Sequence, residues 1–328
     1  MIEVLALPFM QRALLAAVLS GLIAPAIGTY IVQRRMSLLG DGLGHVAIMG
    51  VGLALMTGWA PLPVAVVTCV VGAVIVELLR QHGKTSGDLG LAILFYGGLA
   101  SGVLMAGIAG QGAGGLSAYL FGSLTSVTPT DLYVIVGLAV VILVLSIGLA
   151  PRLFAVAVDE DFARVLGIRV KLLNLLVVVL AAVTVTVSMR TVGLLLISAL
   201  MVIPVATAQQ AFVGFYPAFF GSMGVGVLAA VTGTVGSFYL DTATGATIVV
   251  TAIALLGVSW VVGSRLRRSD RFIPFVEDHG AQPHQQAENH NDSHAHAAGV
   301  KVIQHGDHLD YVHDGHRHAR HGDHYDEH

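Results

Sequence analysis

The sequence predicts an all-α fold: a polytopic transmembrane helical bundle of eight or nine spans, followed by a disordered His-rich C-terminal tail. Only 11% of the 328 residues are charged and 55% are hydrophobic, whereas soluble domains carry about 25% charged residues. Nine apolar runs are long enough to cross a bilayer, and 13 of the 15 histidines follow residue 278. We therefore predict a transmembrane domain over 1–264, a basic juxtamembrane linker over 265–278 and a His/Asp-rich tail over 279–328.

The apolar runs predict the individual helices. Because lipid offers the backbone no hydrogen-bond partner, such segments are expected to be helical, and about 20 residues cross the hydrocarbon. The run near 191–210 contains Pro204 and follows Arg190 almost directly, so eight spans is the alternative to nine. The runs lie near 13–33, 38–58, 61–79, 89–109, 131–150, 171–189, 191–210, 218–240 and 242–263.

Basic residues predict the orientation. Lysine and arginine cluster after the first, third, fifth and last runs, and such clusters in short loops favour the cytoplasmic side. The N-terminus is then outside and the tail cytoplasmic. A signal-peptide interpretation of "LIAPAIG" (22–28) is rejected because Glu3 precedes it and the apolar run continues to Val32.

Two ionisable residues interrupt the second run. Asp41 and His45 are spaced i, i+4, so a helix carries both on one face, and ionisable groups within a span usually face the bundle interior or a wet path. A carboxylate and an imidazole form half of a site for Zn²⁺ or Mn²⁺. Two alternatives stay open: an Asp–His hydrogen bond that fastens helices, and an aspartate that caps the span near its cytoplasmic end. Gly40 and Gly44 favour close helix packing here.

The tail interleaves histidine with aspartate, and "HGDH" occurs at both 305–308 and 321–324. Imidazole and carboxylate groups are ligands of Zn²⁺, so this composition predicts divalent-metal binding, with Zn²⁺ favoured over Ni²⁺ or Cu²⁺. Having few apolar residues, the tail is expected to be disordered without metal. The alternative is an expression tag or a solvated polar tail. The candidate ligands are His305, His308, His313, His316, His318, His321 and His324.

The segment "VDEDFARVLGIRVK" (158–171) is predicted to form a short amphipathic helix on the cytoplasmic side. Acidic residues at 159–161 suit a helix N-terminus and Gly167 suits its end, while Phe162, Val165 and Leu166 share a face. A phosphate-binding loop is not recognisable, because "LLRQHGKTSG" (78–87) has leucine where the loop needs its first glycine. We therefore expect a chain that is not itself an ATPase or another enzyme.

These stretches together resemble one family. The segment "RRMSLLGDGLGHVAIMGVGLAL" (34–55) is similar to the signature of the zinc/manganese permeases of bacterial ATP-binding-cassette importers, and most like a zinc importer permease. Segments 116–132 and 159–209 are similar to other recurrent blocks of that family, and the resemblance covers roughly residues 10–265. Gly44 departs from the pattern, because many members carry serine before the histidine.

The resemblance implies an ATP-driven importer of a divalent metal, with Zn²⁺ favoured over Mn²⁺, in the bacterial cytoplasmic membrane. It implies a pair of permease copies in the bilayer, each docked to a separate ATPase subunit, and an extracytoplasmic metal-binding protein that delivers the ion. It implies neither a permanently bound cofactor nor a nucleic acid. Asp41 and His45 map onto the metal path. The residues that map onto the ATPase-coupling helix are Asp159, Glu160, Phe162, Ala163, Leu166 and Gly167.

Two other function classes stay open on sequence grounds. A secondary transporter driven by protons or membrane potential, with a His-rich regulatory tail, would need several intramembrane ligands on different helices. Only one histidine lies within a predicted span, which argues against that class. A sensor or structural membrane protein would act mainly through the tail.

Overall fold

The computed structural model describes residues 7–81, 87–111, 114–123, 127–190, 192–270 and 301–327, without 306–307, 314–315 and 322–323. Twelve helices and four strands lie in this part of the chain. The helices are α1 Pro8–Gln33, α2 Leu39–Thr57, α3 Pro61–Gln81, α4 Gly87–Ile108, α5 Gly114–Phe121, α6 Pro129–Gly148, α7 Ala150–Val158, α8 Glu160–Val165, α9 Val170–Ser188, α10 Leu194–Ala211, α11 Phe215–Leu240 and α12 Thr244–Asp270.

Each of the nine predicted spans corresponds to one of these helices, and the predicted multi-pass helical bundle is confirmed. Within the described residues, seven helices are long and apolar enough to cross a membrane, namely α1, α2, α3, α6, α9, α11 and α12. The apolar parts of α4 and α10 are shorter, at Ala92–Ile108 and Leu196–Ala211. Helix α10 continues through Pro204 without a break.

Local chemistry explains where several helices begin and end. Proline opens α1 and α6, where its fixed φ and missing N–H cost the helix nothing. Thr128 caps α6 through a reciprocal pair of hydrogen bonds with Asp131. Helix α2 ends at Gly58, whose φ of 75° suits glycine far better than other residues.

The helices form a buried centre and a lipid-facing periphery. The apolar windows of α1, α2 and α9 are 72%, 72% and 67% buried, against 22–28% for α3, α6 and α12. Helix α2 packs mainly against α4 and α3, and α1 packs mainly against α11. The helix that carries both Asp41 and His45 is therefore among the most enclosed of the bundle.

The chain divides into two compact units, Met1–Arg265 and Leu266–His328. In the second unit the strands β1 Lys301–His305, β2 His308–His313, β3 His316–His321 and β4 His324–Glu327 form an antiparallel sheet in sequential order. The predicted His-rich tail covers 279–328 and so includes these strands, while 279–300 lie outside the described residues.

Candidate functional site

Helix α2 runs antiparallel to α3 through the middle of the bundle. A Cβ added at Gly50 would lie 2.6 Å from the Cα of Ala65, and one added at Gly72 would lie 2.9 Å from Val46 Cγ1. Gly72 is one residue from the midpoint of α3, Pro61–Gln81. His45, the neighbour of Val46, is therefore level with the middle of a membrane-spanning helix.

Asp41 lies in the first turn of α2, one helical turn or about 6 Å from His45. A carboxylate at this position suits the helix N-terminus. The Oδ1 atom of Asp41 accepts a hydrogen bond from Ser198 Oγ of α10. Gly40 permits this approach, because a Cβ there would lie 3.1 Å from the same hydroxyl oxygen. The hydrogen-bond partner of Asp41 on another helix is thus a serine. The alternative left open by the sequence was an Asp–His hydrogen bond between helices.

His45 is buried, with 5% of its surface exposed. Its ring packs edge-on against Phe95 of α4, with the ring centroids 4.0 Å apart. The Nδ1 atom has no hydrogen-bond partner among the described residues. Buried polar atoms are nearly always satisfied by protein, water or an ion, so this nitrogen marks a place where a further group can bind.

Asp41, His45 and Ser198 together offer a carboxylate, an imidazole nitrogen and a hydroxyl oxygen. Such a mixed donor set fits Zn²⁺ and Mn²⁺, and it lacks the thiolates that favour copper(I). Among the side chains that the structure describes, no group of three or more His, Cys, Asp or Glu residues is arranged to hold an ion. The three donors do not fill the coordination shell of either ion, so water or other ligands would complete it.

Sequence reasoning missed Ser198. It lies 157 positions from Asp41, and the signal for it is weak, a single serine in the apolar stretch "LLLISALMVIP" (194–204). A hydroxyl in a membrane helix often only satisfies its own helix backbone. Only the contact between α2 and α10 shows that Ser198 bonds to Asp41 and does not merely satisfy its own helix backbone.

The predicted amphipathic helix on the basic side of the bundle is present as α8, Glu160–Val165. Asp159 caps it, because its Oδ1 accepts from the backbone N–H groups of Asp161 and Phe162, both at 2.9 Å. The turn after it ends at Gly167, whose φ is +76°. The helix is shorter than the segment 158–171, since α7 already ends at Val158 and α9 begins at Val170.

Helix α8 has one buried side and one exposed apolar side. Ala163 is fully buried, whereas Phe162, Val165 and Leu166 are 58%, 84% and 57% exposed. The charged residues Glu160, Asp161 and Arg164 lie in the same helix. A cluster of large apolar side chains beside charges is typical of a docking surface.

Glu160 anchors α8 to the membrane helices. Its Oε1 accepts from Arg34 Nη2 at 3.0 Å and from Asn174 Nδ2 of α9 at 2.9 Å. The Arg34 side chain is only 6% exposed, and burial lowers its pKa from the ordinary value, with Arg80 lowering the pKa further and Glu160 raising it.

All seven candidate histidines of the tail lie in the described strands. Six of them are the first or last residue of a strand, and His318 lies within β3.

A family model described as "ABC 3 transport family" matches residues 6–263, which include every membrane helix and α8. The chain belongs to the ABC 3 transport family. This ABC 3 protein is therefore a multi-pass permease subunit of an ABC transporter, as the sequence predicts. It is not an enzyme, and the ATPase is a separate partner. Membership of this family also argues against the alternative that the protein is a secondary transporter.

Relatives of this ABC 3 permease include the "Manganese transport system membrane protein MntC" of Halalkalibacterium halodurans. That protein is 32% identical over 259 residues, 79% of this chain and 88% of the relative. The "High-affinity zinc uptake system membrane protein ZnuB" of Haemophilus influenzae is 31% identical, covering 77% of this chain and 97% of its own. The solved structure titled "PsaBC from Streptococcus pneumoniae in complex with Fab" matches with a TM-score of 0.74 and 29% identity, over 82% of this chain and 97% of that one.

Proposed function

We propose that this permease carries a divalent metal ion into the cell, with Zn²⁺ favoured over Mn²⁺. The observation that carries the proposal is that Asp41 and His45 lie one turn apart in the enclosed helix α2, where the buried Nδ1 of His45 has no hydrogen-bond partner among the described residues. Ionisable groups at such depth are costly and mark ion pathways. Relatives named for manganese and for zinc both support a metal cargo.

A loose site suits transport better than a closed one. A structural zinc site has four protein ligands and holds its ion permanently, whereas conduction needs binding that is weak enough for the ion to leave. Asp41 supplies the negative charge that offsets the cost of bringing a dication into the bundle. His45 supplies a nitrogen, which favours Zn²⁺ over the more oxygen-preferring Mn²⁺.

The coupling to ATP hydrolysis is assigned to α8. Its exposed residues Phe162, Val165 and Leu166 would enter a groove on the ATPase subunit, while Glu160 transmits the resulting movement to α1 and α9. Glu160 is suited to this role because it bonds to Arg34 and Asn174 at the same oxygen. The helix itself would be shaped by Asp159 as its cap, by Ala163 as its buried contact and by Gly167 at its end.

The complete importer would contain two copies of this permease, two ATPase subunits and an extracytoplasmic metal-binding protein. The tail histidines would bind Zn²⁺, and the zinc preference rests largely on them, because imidazole-rich sets favour zinc over manganese. If the tail lies in the cytoplasm, we assign it a role in buffering imported zinc or in feedback regulation by that zinc. If the tail lies outside the cell membrane, its role would be to capture external zinc.

Metal uptake by cells that depend on this permease tests the proposal. Asp41→Ala and His45→Ala should each abolish zinc-dependent growth and zinc uptake while membrane insertion stays normal. Cys69→Ala is the matched control, because Cys69 contacts α2 at Leu43 in the same layer of the bundle but carries no ligand charge. Normal uptake by both variants would refute the metal path, and manganese that outcompetes zinc in the wild type would refute the preference.

Reconstitution separates this function from secondary transport. The purified permease in liposomes should take up no zinc under a proton gradient or membrane potential alone, and should do so only with its ATPase and ATP.

A further inference from the structure

The buried face of α3 ends in a charged residue. The buried residues of this helix recur every three or four positions and form one stripe, Leu62, Ala65, Cys69, Ala73 and Glu77. The stripe faces α2, because a Cβ added at Gly50 would lie 2.6 Å from the Cα of Ala65. In addition, Cys69 Sγ donates to the Leu43 carbonyl over 3.3 Å. Glu77 therefore continues the face of α3 that packs on the helix of the candidate site.

The carboxylate of Glu77 is buried and accepts three hydrogen bonds. Its side chain is 1% exposed. Arg80 donates to it from Nε at 2.9 Å and from Nη2 at 2.8 Å, and Gln81 Nε2 donates at 2.9 Å. The same nitrogen of Gln81 also donates to the Lys171 carbonyl of α9 over 3.1 Å. Because a buried carboxylate is costly without such partners, these bonds hold the end of α3 against the start of α9.

The carboxylates of Glu77 and Glu160 are tied to the same part of α9. Gln81 links Glu77 to the Lys171 carbonyl. Asn174 Nδ2 donates to Glu160 Oε1 over 2.9 Å. Positions 171 and 174 are three apart in one helix and are therefore neighbours on its surface. The two carboxylates thus approach α9 at adjacent points, one from α3 and the other from α8.

Two arginines complete this group of charges. Arg80 pairs with Glu77 over 2.8 Å, and Arg34 pairs with Glu160 over 3.0 Å. Burial lowers the pKa of Arg34, and Arg80 lowers it further. Glu160 and Glu77 both raise the same pKa. The charges of both pairs therefore act on Arg34, and we call these four residues the four-charge cluster.

The four-charge cluster is electrically balanced, with two guanidiniums and two carboxylates. Both oxygens of Glu77 already accept from Arg80, and bidentate pairs of this kind are among the strong hydrogen-bonded contacts of proteins. A dication near Glu77 would also be repelled by the positive charge of Arg80. The cluster is therefore suited to connecting α1, α3 and α8 and not to binding the transported ion.

We infer that the four-charge cluster transmits the movement of α8 to α3 and, through the stripe that faces α2, to the helix of the candidate metal site. The inference rests on the proposed function, in which α8 docks on the ATPase. Glu77 is a positioning residue, because it acts through Arg80 and α3 and not on the ion. Without its charge, two guanidiniums share the single carboxylate of Glu160, and their repulsion opposes the contact between α3 and α8.

The variant Glu77→Gln tests this role. Glutamine has nearly the same shape and keeps an oxygen that accepts from Arg80, but it removes the charge. Asp131→Asn is the matched control, because it removes one charge from another partly buried ion pair, with Arg190 at 3.3 Å. Asp131 lies in the first turn of α6 and outside the four-charge cluster. Each variant is reconstituted in liposomes together with the ATPase.

The rate at which a maleimide labels Cys69 reports on the contact between α2 and α3. Cys69 is the single cysteine of the chain, and it is fully buried at its contact with Leu43. A buried thiol reacts only when the structure around it opens locally, so the labelling rate measures this opening. Labelling of the permease chain is followed with ATP and orthovanadate and again without nucleotide.

In the wild type and in Asp131→Asn, nucleotide should change the labelling rate by about ten-fold or more. In Glu77→Gln the rate should be the same with and without nucleotide, while the ATPase still co-purifies with the variant and hydrolyses ATP. A response of Glu77→Gln equal to that of the wild type, or no response in the wild type, would overturn the inference. Zinc takes no part in this assay, so failure of the proposed zinc transport would be seen separately, as absent zinc uptake by the wild type.

The double variant E77Q/R80Q separates positioning from stability. It removes one charge of each sign, so it should melt closer to the wild type than Glu77→Gln does. Its labelling rate should nevertheless stay independent of nucleotide, because Arg34 and Glu160 have lost both charged neighbours on α3. A restored response in the double variant would mean that Glu77 only stabilises the fold, and it would contradict transmission through the cluster.

Discussion

The Arg34 guanidinium donates from Nη2 to Glu160 Oε1 over 3.0 Å, which ties the end of α1 to the short helix α8. The two residues are 126 positions apart in the sequence, and the side chain of Arg34 is almost fully buried. A buried charge that loses its partner is strongly destabilising. This ion pair therefore holds the proposed coupling helix in a defined position against the transport helices.

Arg34→Ala should reduce zinc uptake and ATPase stimulation while membrane insertion persists. The loss of the pair should cost about 1–3 kcal/mol, below the ~3–5 kcal/mol of fully buried pairs, because Glu160 is 33% exposed. Arg164→Ala is the matched control, since Arg164 pairs with the same carboxylate but is 56% exposed, and it should change stability by less than about 0.5 kcal/mol. Uptake and melting temperature of the purified protein measure both effects. Equal effects of the two variants would contradict the assignment.

Asp41→Asn and Ser198→Ala distinguish an ion ligand from a helix fastener. Asparagine keeps an oxygen that can accept from Ser198 but removes the charge, so uptake should fall to background. Ser198→Ala leaves the carboxylate intact, so uptake should fall less than about ten-fold, the loss of roughly one hydrogen bond. If Asp41 only fastens α2 to α10, the order of the two effects in the uptake assay will be reversed.

Gly98→Ala should disturb the site through the backbone. The added Cβ would lie 2.6 Å from the His45 carbonyl carbon, and such overpacking costs about 1–3 kcal/mol. Gly97→Ala is a matched control one residue away, because its Cβ would meet nothing within 4 Å. A lowered melting temperature and reduced uptake are expected for Gly98→Ala alone. If Gly98→Ala has the melting temperature and the uptake of the wild type, α4 does not constrain His45.

The double variant F162A/L166A should lose association with the ATPase. Burial of two large apolar side chains contributes about 3–6 kcal/mol, so co-purification of the ATPase should fall at least ten-fold. Val140→Ala is the control, because Val140 is 53% exposed on the membrane helix α6 and should leave association unchanged. Retained association of the double variant would place the docking surface elsewhere.

Deletion of 279–328 should leave zinc transport largely intact and change its dependence on zinc concentration. The membrane unit, with Asp41 and His45, lies in the separate compact part Met1–Arg265. Initial uptake rates measured over a range of zinc concentrations report the effect. Complete loss of transport would mean that the tail belongs to the conduction path.

Several features were predictable because they depend on local pattern. The nine helices follow from runs of apolar residues that have to satisfy their own backbone in lipid. Asp159 as a cap and Gly167 as an end follow from local backbone chemistry. The i, i+4 spacing put Asp41 and His45 on one helix face without any knowledge of neighbouring helices.

Other features depended on contacts between distant parts of the chain. The hydrogen bond between Ser198 and Asp41 could not be assigned from sequence, because sequence gives distance along the chain and not proximity between helices.

The sequence by itself therefore determined the membrane class and the family, and it predicted the residue pair and the candidate metal. Tertiary structure alone decided that Ser198 meets Asp41, that His45 Nδ1 is left without a hydrogen-bond partner among the described residues, and that Arg34 holds Glu160. The physical reason is that helix formation is governed by residues within a few positions. Which side chains face one another is governed by packing between helices far apart in sequence.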